Sequence, residues 1–528
     1  MLNSILCHDH WWRFPVWEEA DFDLPIHVKK VPRLNFVVAS ELICDDIRPT
    51  WDMVTRLLLH DEILLDVACL DQSVLQTTPL VADIAPADIP ALLWAGLIEE
   101  HTGPDPVRNY CRVFTVNELH KYRRRLIIWP RAINDYFSEP GYIELPSMVQ
   151  IREGLMGCAF AATFDFSVFY NQFELPENLR TFYAFKTSDG KTYKLRVIAT
   201  GQRHCPAMAQ ALASSIAQHV RTRVPNSVVF AYIDNFCIAG ATPEIVDMAS
   251  NIFLDICRDC GITVEVEQQT SSCVTYLGVV YNLSGDTARD PTMELTDKTK
   301  AKLLSGINTF AAAAFPQPGV PAFTCPIDKV LSMFGVVVWA ARILRFPLAN
   351  LYTSMKFLRR ISNADLPTSA LCNPWPCALK NLCTCAELLR RHPPAPFPLS
   401  AATASWTLFS DACLSGYGAV LCAGSDINII SGRFSDVEDI QILETRALLY
   451  AVQALPFQES TKQPICIVVD NTSLQGGINK TWHRNFVVNS SILAIFRLLE
   501  TKGYSLVSCT YIRSSENPAD PPSRLYEF

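Results

Sequence analysis

Two aspartates, each at the end of an apolar strand, constrain this chain more than any other feature. The β-branched and aromatic run Val228 to Tyr232 leads into Ile233-Asp234-Asn235, and a second apolar run, Phe236 to Ala239, follows. The pattern predicts a hairpin whose turn lifts a carboxylate out of an apolar sheet. Upstream, the apolar strand Phe160 to Phe164 ends in Asp165-Phe166-Ser167, and Asp165 lies 69 residues before Asp234. An aspartate at a turn is ordinary by itself. Two of them at the ends of two strands supply the hard oxygen ligands that a pair of Mg²⁺ ions needs for in-line phosphoryl transfer.

At 528 residues the chain is too long for one core, and roughly three or four domains are expected. Hydrophobic residues at 49% against 19% charged exclude an intrinsically disordered chain. The apolar run Val330 to Ala341 falls short of the roughly 20 residues a membrane helix needs and is expected to be a buried helix. Near the N-terminus, Asp9, His10, Trp11, Trp12 and Arg13 do not form the apolar core of a signal peptide, so an intracellular protein is expected, in cytoplasm or nucleus. The nineteen cysteines keep no framework spacing and read as reduced thiols. Even the cluster Cys372, Cys377, Cys383, Cys385 and His392 lacks the paired spacing of a zinc site.

A net charge of −8 does not advertise a nucleic-acid binder, yet a local positive track would suffice. Its candidate pieces are Lys121 with Arg123, Arg124 and Arg125; Lys298, Lys300 and Lys302; and Lys356 with Arg359 and Arg360. Along the chain, residues 1–105 are a lead-in of unassigned role with helical stretches at Trp51 to Leu59 and Ala87 to Glu100. Residues 106–295 alternate strands and helices, as a mixed α/β sheet requires. Residues 296–372 turn helical, with a proline-rich break at Phe315 to Pro326. Residues 373–400, dense in proline and cysteine, read as a linker, and a compact unit spans 401–528.

The Tyr232-Ile-Asp-Asn235 turn resembles the Tyr-x-Asp-Asp turn of reverse transcriptases, with Asn in the last place. Thr163-Phe-Asp-Phe-Ser-Val-Phe-Tyr-Asn-Gln172 is similar to the strand carrying that family's other metal-binding Asp. The resemblance implies that Asp165 and Asp234 hold Mg²⁺, with Mn²⁺ as the alternative ion. Arg125-Leu-Ile-Ile-Trp-Pro-Arg-Ala-Ile-Asn134 resembles the fingers strand, which implies triphosphate contacts for Arg125 with help from Lys121. Tyr170 falls where the family's steric gate against a 2′-hydroxyl stands. Tyr183 to Leu195 reads as a hairpin turning at Asp189-Gly190. Within Thr200-Gly-Gln-Arg-His-Cys-Pro-Ala-Met-Ala-Gln210, Gly201 and Gln210 fall as in the template-positioning loop and helix. There Gly201 would let backbone approach the nucleotide, and Gln210 would hydrogen-bond near the nascent base pair. Cys260 to Glu267 and Tyr276 to Tyr281 resemble the closing palm strands and the primer grip. Two departures stand out: Asn235 removes a negative charge from the turn, and Val264 to Gln269 contains no Lys near the leaving pyrophosphate.

A second constellation lies downstream. Asp411 interrupts the apolar strand Trp406 to Leu421, Glu444 sits in the helical run Gln441 to Leu455, and Asp470 ends the buried strand Pro464 to Val469. Asp520 follows in Ser515-Glu-Asn-Pro-Ala-Asp-Pro-Pro-Ser-Arg524. The order Asp, Glu, Asp, Asp resembles ribonuclease H, which implies that the four carboxylates hold two Mg²⁺ ions. Ile512-Arg-Ser-Ser stands where that family places a flap histidine, with Arg513 as a substitute.

Together these resemblances imply an α/β multidomain protein: a right-hand polymerase of fingers and palm (106–295) and thumb or connection helices (296–372), then a ribonuclease H-like α/β domain. The implied activity is RNA-directed DNA synthesis with degradation of RNA in the hybrid. The implied partners are an RNA template, a DNA primer, an RNA–DNA hybrid and deoxynucleoside triphosphates, without a membrane. The Asn235 turn, Arg123 to Pro130 and Asn517-Pro-Ala-Asp520 look most like DIRS-like and VIPER-like retroelements that use tyrosine recombinases. The alternative is a domesticated or decayed copy serving as a nucleic-acid-binding or structural scaffold. Neither oligomeric state nor host can be read from the residues.

Overall fold

The computed structural model describes residues 21–59, 75–136, 143–283, 290–315, 323–364, 366–397, 404–436, 438–458 and 462–525. The N-terminal His10 to Arg13 segment and most of the Phe315 to Pro326 break lie outside them. The chain forms two compact units, divided between Pro291 and Thr292.

In the first unit, helices α1 (Arg48–Leu59) and α2 (Ile89–Trp94) precede a short strand β1 (Ile98–Glu100). The expected helix over Ala87 to Glu100 therefore stops at Trp94, and the last three residues pair instead with the strand Thr192–Leu195. Helical spacing alone cannot foresee that pairing, because the partner strand comes about a hundred residues later. Strands β2 (Arg112–Glu118) and β3 (Arg123–Trp129) form an antiparallel hairpin. The sheet that matters most contains β4 (Phe160–Phe166), β7 (Val228–Tyr232), β8 (Asn235–Gly240) and β9 (Val264–Ser271), in the order β7-β8-β4-β9 and antiparallel throughout. Between β4 and β7 come the hairpin β5 (Ala184–Lys186) and β6 (Thr192–Leu195) and helix α3 (Cys205–Arg223).

Alternation on β4 builds this core. Phe164 and Phe166 point to one face and meet Phe253 of helix α4 (Pro243–Asp259), with ring centroids 5.0 and 6.0 Å away. Phe236 closes the group at 4.7 Å from both Phe166 and Phe253. Four buried aromatics on one side of a strand leave Asp165, the residue between two of them, on the other side. A second hairpin, β10 (Cys273–Tyr276) and β11 (Val279–Asn282), follows β9 where the resemblance puts the primer grip.

In the second unit β12 (Thr292–Leu295) opens a helical stretch: α5 (Asp297–Ala314), the short strand β13 (Cys325–Pro326), α6 (Ile327–Ile343) and α7 (Tyr352–Asn363). The apolar run Val330 to Ala341 lies within α6, mostly buried. No helix among the described residues is long and apolar enough to cross a membrane. After β14 (Leu371–Cys372) the expected linker is instead helix α8 (Pro376–Arg390), packed on α5, α6 and α7, before β15 (Ala395–Pro396). Ala378, Leu379, Leu382, Cys383, Cys385, Ala386 and Leu389 form its buried face. Pro376 sits in the first turn, where a missing N–H costs nothing. Proline density misleads here because the prolines flank the helix rather than interrupt it.

Residues beyond 404 form a five-stranded sheet, β18-β17-β16-β19-β20. Strands β16 (Trp406–Ala412), β17 (Gly416–Ala423) and β18 (Asp426–Arg433) run antiparallel. After helix α9 (Ile440–Ala454), β19 (Gln463–Val469) joins β16 in parallel. Helices α10 (Thr472–Asn479) and α11 (Phe486–Thr501) lead to β20 (Tyr504–Tyr511), parallel to β19, and α12 (Asp520–Ser523) lies near the end. The core is fully buried, with Leu408, Leu448, Ile465, Ile467, Ile492 and Ile495 at its centre.

Candidate carboxylate centres in the two units

The first centre is made by strand register. Asp165 pairs with Asn235 of β8 on one side and with Glu265 of β9 on the other. The Phe166 amide donates to the Asp234 carbonyl at 2.8 Å, which ties the β7–β8 turn to the end of β4. Burial, then the Asp234 carboxylate, then Glu267 and Glu265, push Asp165 up to about 7. Glu267 is also raised, first by burial, with Lys121 opposing and Asp234 and Glu265 adding. An acid cluster this costly to ionise fits a divalent cation bound by hard oxygen ligands.

The turn itself is strained. Ile233 is β-branched yet has φ +58°, in the left-handed region where glycine is the usual occupant, at a cost on the order of 1–3 kcal/mol. Gln210 of α3, almost fully buried, holds it there. Its Oε1 accepts from the Ile233 amide at 2.7 Å, and its Nε2 donates to the Ala231 carbonyl at 3.1 Å and to Ser214 Oγ at 2.9 Å. The amide is thus engaged with the turn that presents Asp234. Asn235 Nδ2 donates to Asp234 Oδ1 at 2.8 Å, a bond that a second aspartate would lack.

Gly201 is held by a neighbouring strand. Its amide donates to the Ile128 carbonyl at 2.9 Å, and a Cβ there would lie 2.5 Å from that oxygen. The close backbone approach is to β3, and Asn134 Nδ2 completes the join by donating to the Gly201 carbonyl. Tyr170 sits half-buried in a one-turn helix, Phe169–Gln172, directly after β4. Of the basic run, Arg124 is buried in a bidentate pair with Asp88 at 2.8 and 2.9 Å and is structural. Lys121 and Arg125 are exposed; Lys121 lowers the pKa of Asp165 and Glu267, and Arg125 lies 4.0 Å from Glu118.

Residue-by-residue reading missed three groups here. Glu265 and Glu267 alternate on β9, a spacing visible in sequence but without meaning until β9 pairs with β4. Lys29, from the lead-in, pairs with Glu265 and donates to Ser167 Oγ at 2.7 Å. That bond and one from Ser167 hold Glu265 below the usual carboxylate range. A lysine therefore stands beside β9 after all, supplied from 236 residues away.

The second centre lies in the C-terminal sheet. Asp411 on β16, Glu444 on α9 and Asp470 just past β19 each offer a carboxylate oxygen, all within 4.8 Å of one another. Burial, then Asp411 and Asp470, push Glu444 up to about 9. Asp411 rises to about 6 through burial, with Ser523 opposing and Asp470 and Asp520 adding. Glu444 Oε2 and Asp470 Oδ1 are buried without a hydrogen-bond partner. Orphaned, hard oxygen atoms converging on one point fit a divalent metal, which Asp411, Glu444 and Asp470 would hold. Asp520 stays outside this cluster, its Oδ1 held by Arg524 Nε and Nη2 at 3.0 and 2.9 Å.

Residues 121–281 match the family model of the reverse transcriptase (RNA-dependent DNA polymerase). The Gag-Pro-Pol polyprotein of Human T-cell leukemia virus 3 (strain 2026ND) is 22% identical over 228 residues, which are 41% of this chain and 14% of that polyprotein. Among solved structures, the foamy viral protease-reverse transcriptase dRH in complex with double-stranded DNA matches with a TM-score of 0.47 and 14% identity, covering 92% of this chain and 83% of that one. The foamy viral protease-reverse transcriptase in complex with an RNA/DNA hybrid matches with a TM-score of 0.44 and 14% identity, covering 92% and 64%. This chain thus carries a region similar to reverse transcriptases and, over part of its length, to a retroviral Pol.

Proposed function

We propose that this chain copies RNA into DNA at the first centre and cleaves the RNA strand of the hybrid at the second. The reading rests above all on one observation. Inside the segment similar to reverse transcriptases, strand register sets Asp165 beside the turn that carries Asp234. Asp165 and Asp234 would hold Mg²⁺ or Mn²⁺, which when bound activates the primer hydroxyl and stabilises the leaving pyrophosphate. Lys121 and Arg125 neutralise the incoming triphosphate as charge shifts to its leaving group. Tyr170 forms the floor that excludes a 2′-hydroxyl, and Lys29 is the cation nearest β9 that can donate a proton towards pyrophosphate.

At the second centre Asp411, Glu444 and Asp470 bind the metal and Asp520 adds charge from the rim. Asp411 and Asp470 lie at the ends of the parallel strands β16 and β19, and Glu444 joins them from helix α9. The hybrid is selected through its backbone shape and 2′-hydroxyls rather than its bases. Residues 106–295 serve as fingers and palm, 296–372 as thumb, and 401–528 as the nuclease. Its partners are template RNA, primer DNA, the hybrid and deoxynucleoside triphosphates inside the cell. The Asn235 turn favours a retroelement of the DIRS-like or VIPER-like kind as its source.

Primer extension on an RNA template, run beside cleavage of an RNA–DNA hybrid, tests both halves. Asp165→Asn or Asp234→Asn should abolish synthesis and leave cleavage, whereas Asp411→Asn or Asp470→Asn should do the reverse. Losing a metal ligand removes several kcal/mol of transition-state stabilisation. A parent protein silent in both assays would instead identify a scaffold.

A further inference from the structure

Two serines near the end of the chain each bind one of the strand-end carboxylates. Ser523 Oγ donates to Asp411 Oδ2 at 2.5 Å, and Ser514 Oγ donates to Asp470 Oδ2 at 2.5 Å. The segment bearing them is fastened to the sheet independently. Asn517 Nδ2 donates to the Ser410 carbonyl at 3.1 Å, next to Asp411. Gly418 of β17 has no side chain because the segment lies against it: a Cβ there would come within 2.5 Å of the Ala519 carbonyl. Ser523 and Ala519 are fully buried.

We propose that residues 513–524 form a clip whose serines, Ser514 and Ser523, are positioning residues for the nuclease metal centre. A carboxylate rotates about a broad, weakly restricted terminal torsion, so its two oxygens exchange places readily unless one is held. Ser514 holds Asp470 by Oδ2 and leaves Oδ1 as the oxygen that is buried without a partner. Ser523 holds Asp411 by Oδ2 from the opposite end of the clip. Asp520 shares the segment, so the clip that orients two carboxylates also places the acid at the rim. Groups that fasten metal ligands from behind set affinity for the ion because they remove the entropy of finding the binding orientation.

The inference rests on the proposed metal centre, so its test separates the two. The probes are Mg²⁺ alone, read as the rise in Tm it causes, and the Mg²⁺ half-saturation of hybrid cleavage. Ser514→Ala and Ser523→Ala should each raise half-saturation about 10-fold and shrink the Mg²⁺-induced Tm rise, with cleavage recovering at high Mg²⁺. Ser514→Thr, which keeps the hydroxyl at an exposed position, should behave like the parent. If Ser523→Ala melts early from the loss of a buried contact, the Ser514→Ala and Ser514→Thr pair still decides. Unchanged half-saturation and Tm response in the alanine variants would overturn the clip, as would lower cleavage at every Mg²⁺ level without a shift in half-saturation. An Asp411→Asn protein that still cleaves and still gains Tm from Mg²⁺ would overturn the metal centre instead.

Discussion

Replacing Glu444 by Gln should stabilise the metal-free protein while abolishing the proposed cleavage of the hybrid. Burial beside Asp411 and Asp470 raises the Glu444 carboxyl from an ordinary 4.5 to about 9. An acid whose pKa rises on folding takes up a proton as the chain folds, so its contribution to stability worsens as pH climbs from 4.5 towards 9. At pH 7 the folded carboxyl remains protonated while the unfolded one is ionised about 2.5 pH units above its pKa, a penalty of about 3 kcal/mol. Gln has the same shape and no proton to take up, so Glu444→Gln should recover up to about 3 kcal/mol at pH 7 and only about 0.8 kcal/mol at pH 5. In a unit of this size each kcal/mol moves Tm by roughly 2–4 °C, which predicts a rise of roughly 6–12 °C. Mg²⁺ should reverse the ranking by stabilising the parent more than the variant, because binding replaces the proton that the site otherwise needs. Melting both proteins in EDTA and in Mg²⁺ at pH 5 and pH 7 measures all of this. A variant that melts below the parent in EDTA at pH 7, or gains as much at pH 5 as at pH 7, would refute the reasoning.

Three further outcomes concern the first centre and its surroundings. Asn235→Asp removes the hydrogen bond that the Asn235 side-chain amide donates to Asp234 and adds a negative charge beside Asp165, so synthesis should persist or rise and its Mg²⁺ half-saturation should shift; a parallel Mg²⁺ titration of parent and variant reads this, and total loss of synthesis would count against it. Tyr170→Val should admit ribonucleotides with only a modest fall in deoxynucleotide use, measured as the ratio of the two kcat/KM values, and an unchanged ratio would make Tyr170 a packing residue. Gly201→Ala forces a methyl against the Ile128 carbonyl and should destabilise the protein by about 1–3 kcal/mol in a denaturant titration, whereas a neutral result would show that the β3 backbone yields there.

Much of the first unit is legible in its residues. Alternation along Phe160 to Phe166, the two apolar runs around Asp234, and the Asp189-Gly190 turn all act over a few residues, so strands and turns follow from local chemistry. Local signals fail where a segment's partner is distant. Residues 98–100 become a strand only because β6 accepts them, and 376–390 become a helix whose buried face covers α5 and α7. Gln210 and Gly201 are likewise prominent in sequence, but their contacts, to the Ile233 turn and the Ile128 backbone, belong to the fold.

By itself the sequence determined the carboxylates and the strands or helix that carry them, because side-chain period and turn preference are properties of neighbouring residues. It also determined the replacement of an acid by Asn235 and the absence of a lysine from 264–269. Tertiary structure alone decided how those groups meet. Lys29 reaches Glu265 across 236 positions, Ser523 reaches Asp411 across 112, and Asp520 is drawn to Arg524 instead of the three-carboxylate cluster. A carboxylate's pKa, its free oxygen and its ability to hold a metal depend on charges and donors that only the closed fold brings within a few ångströms.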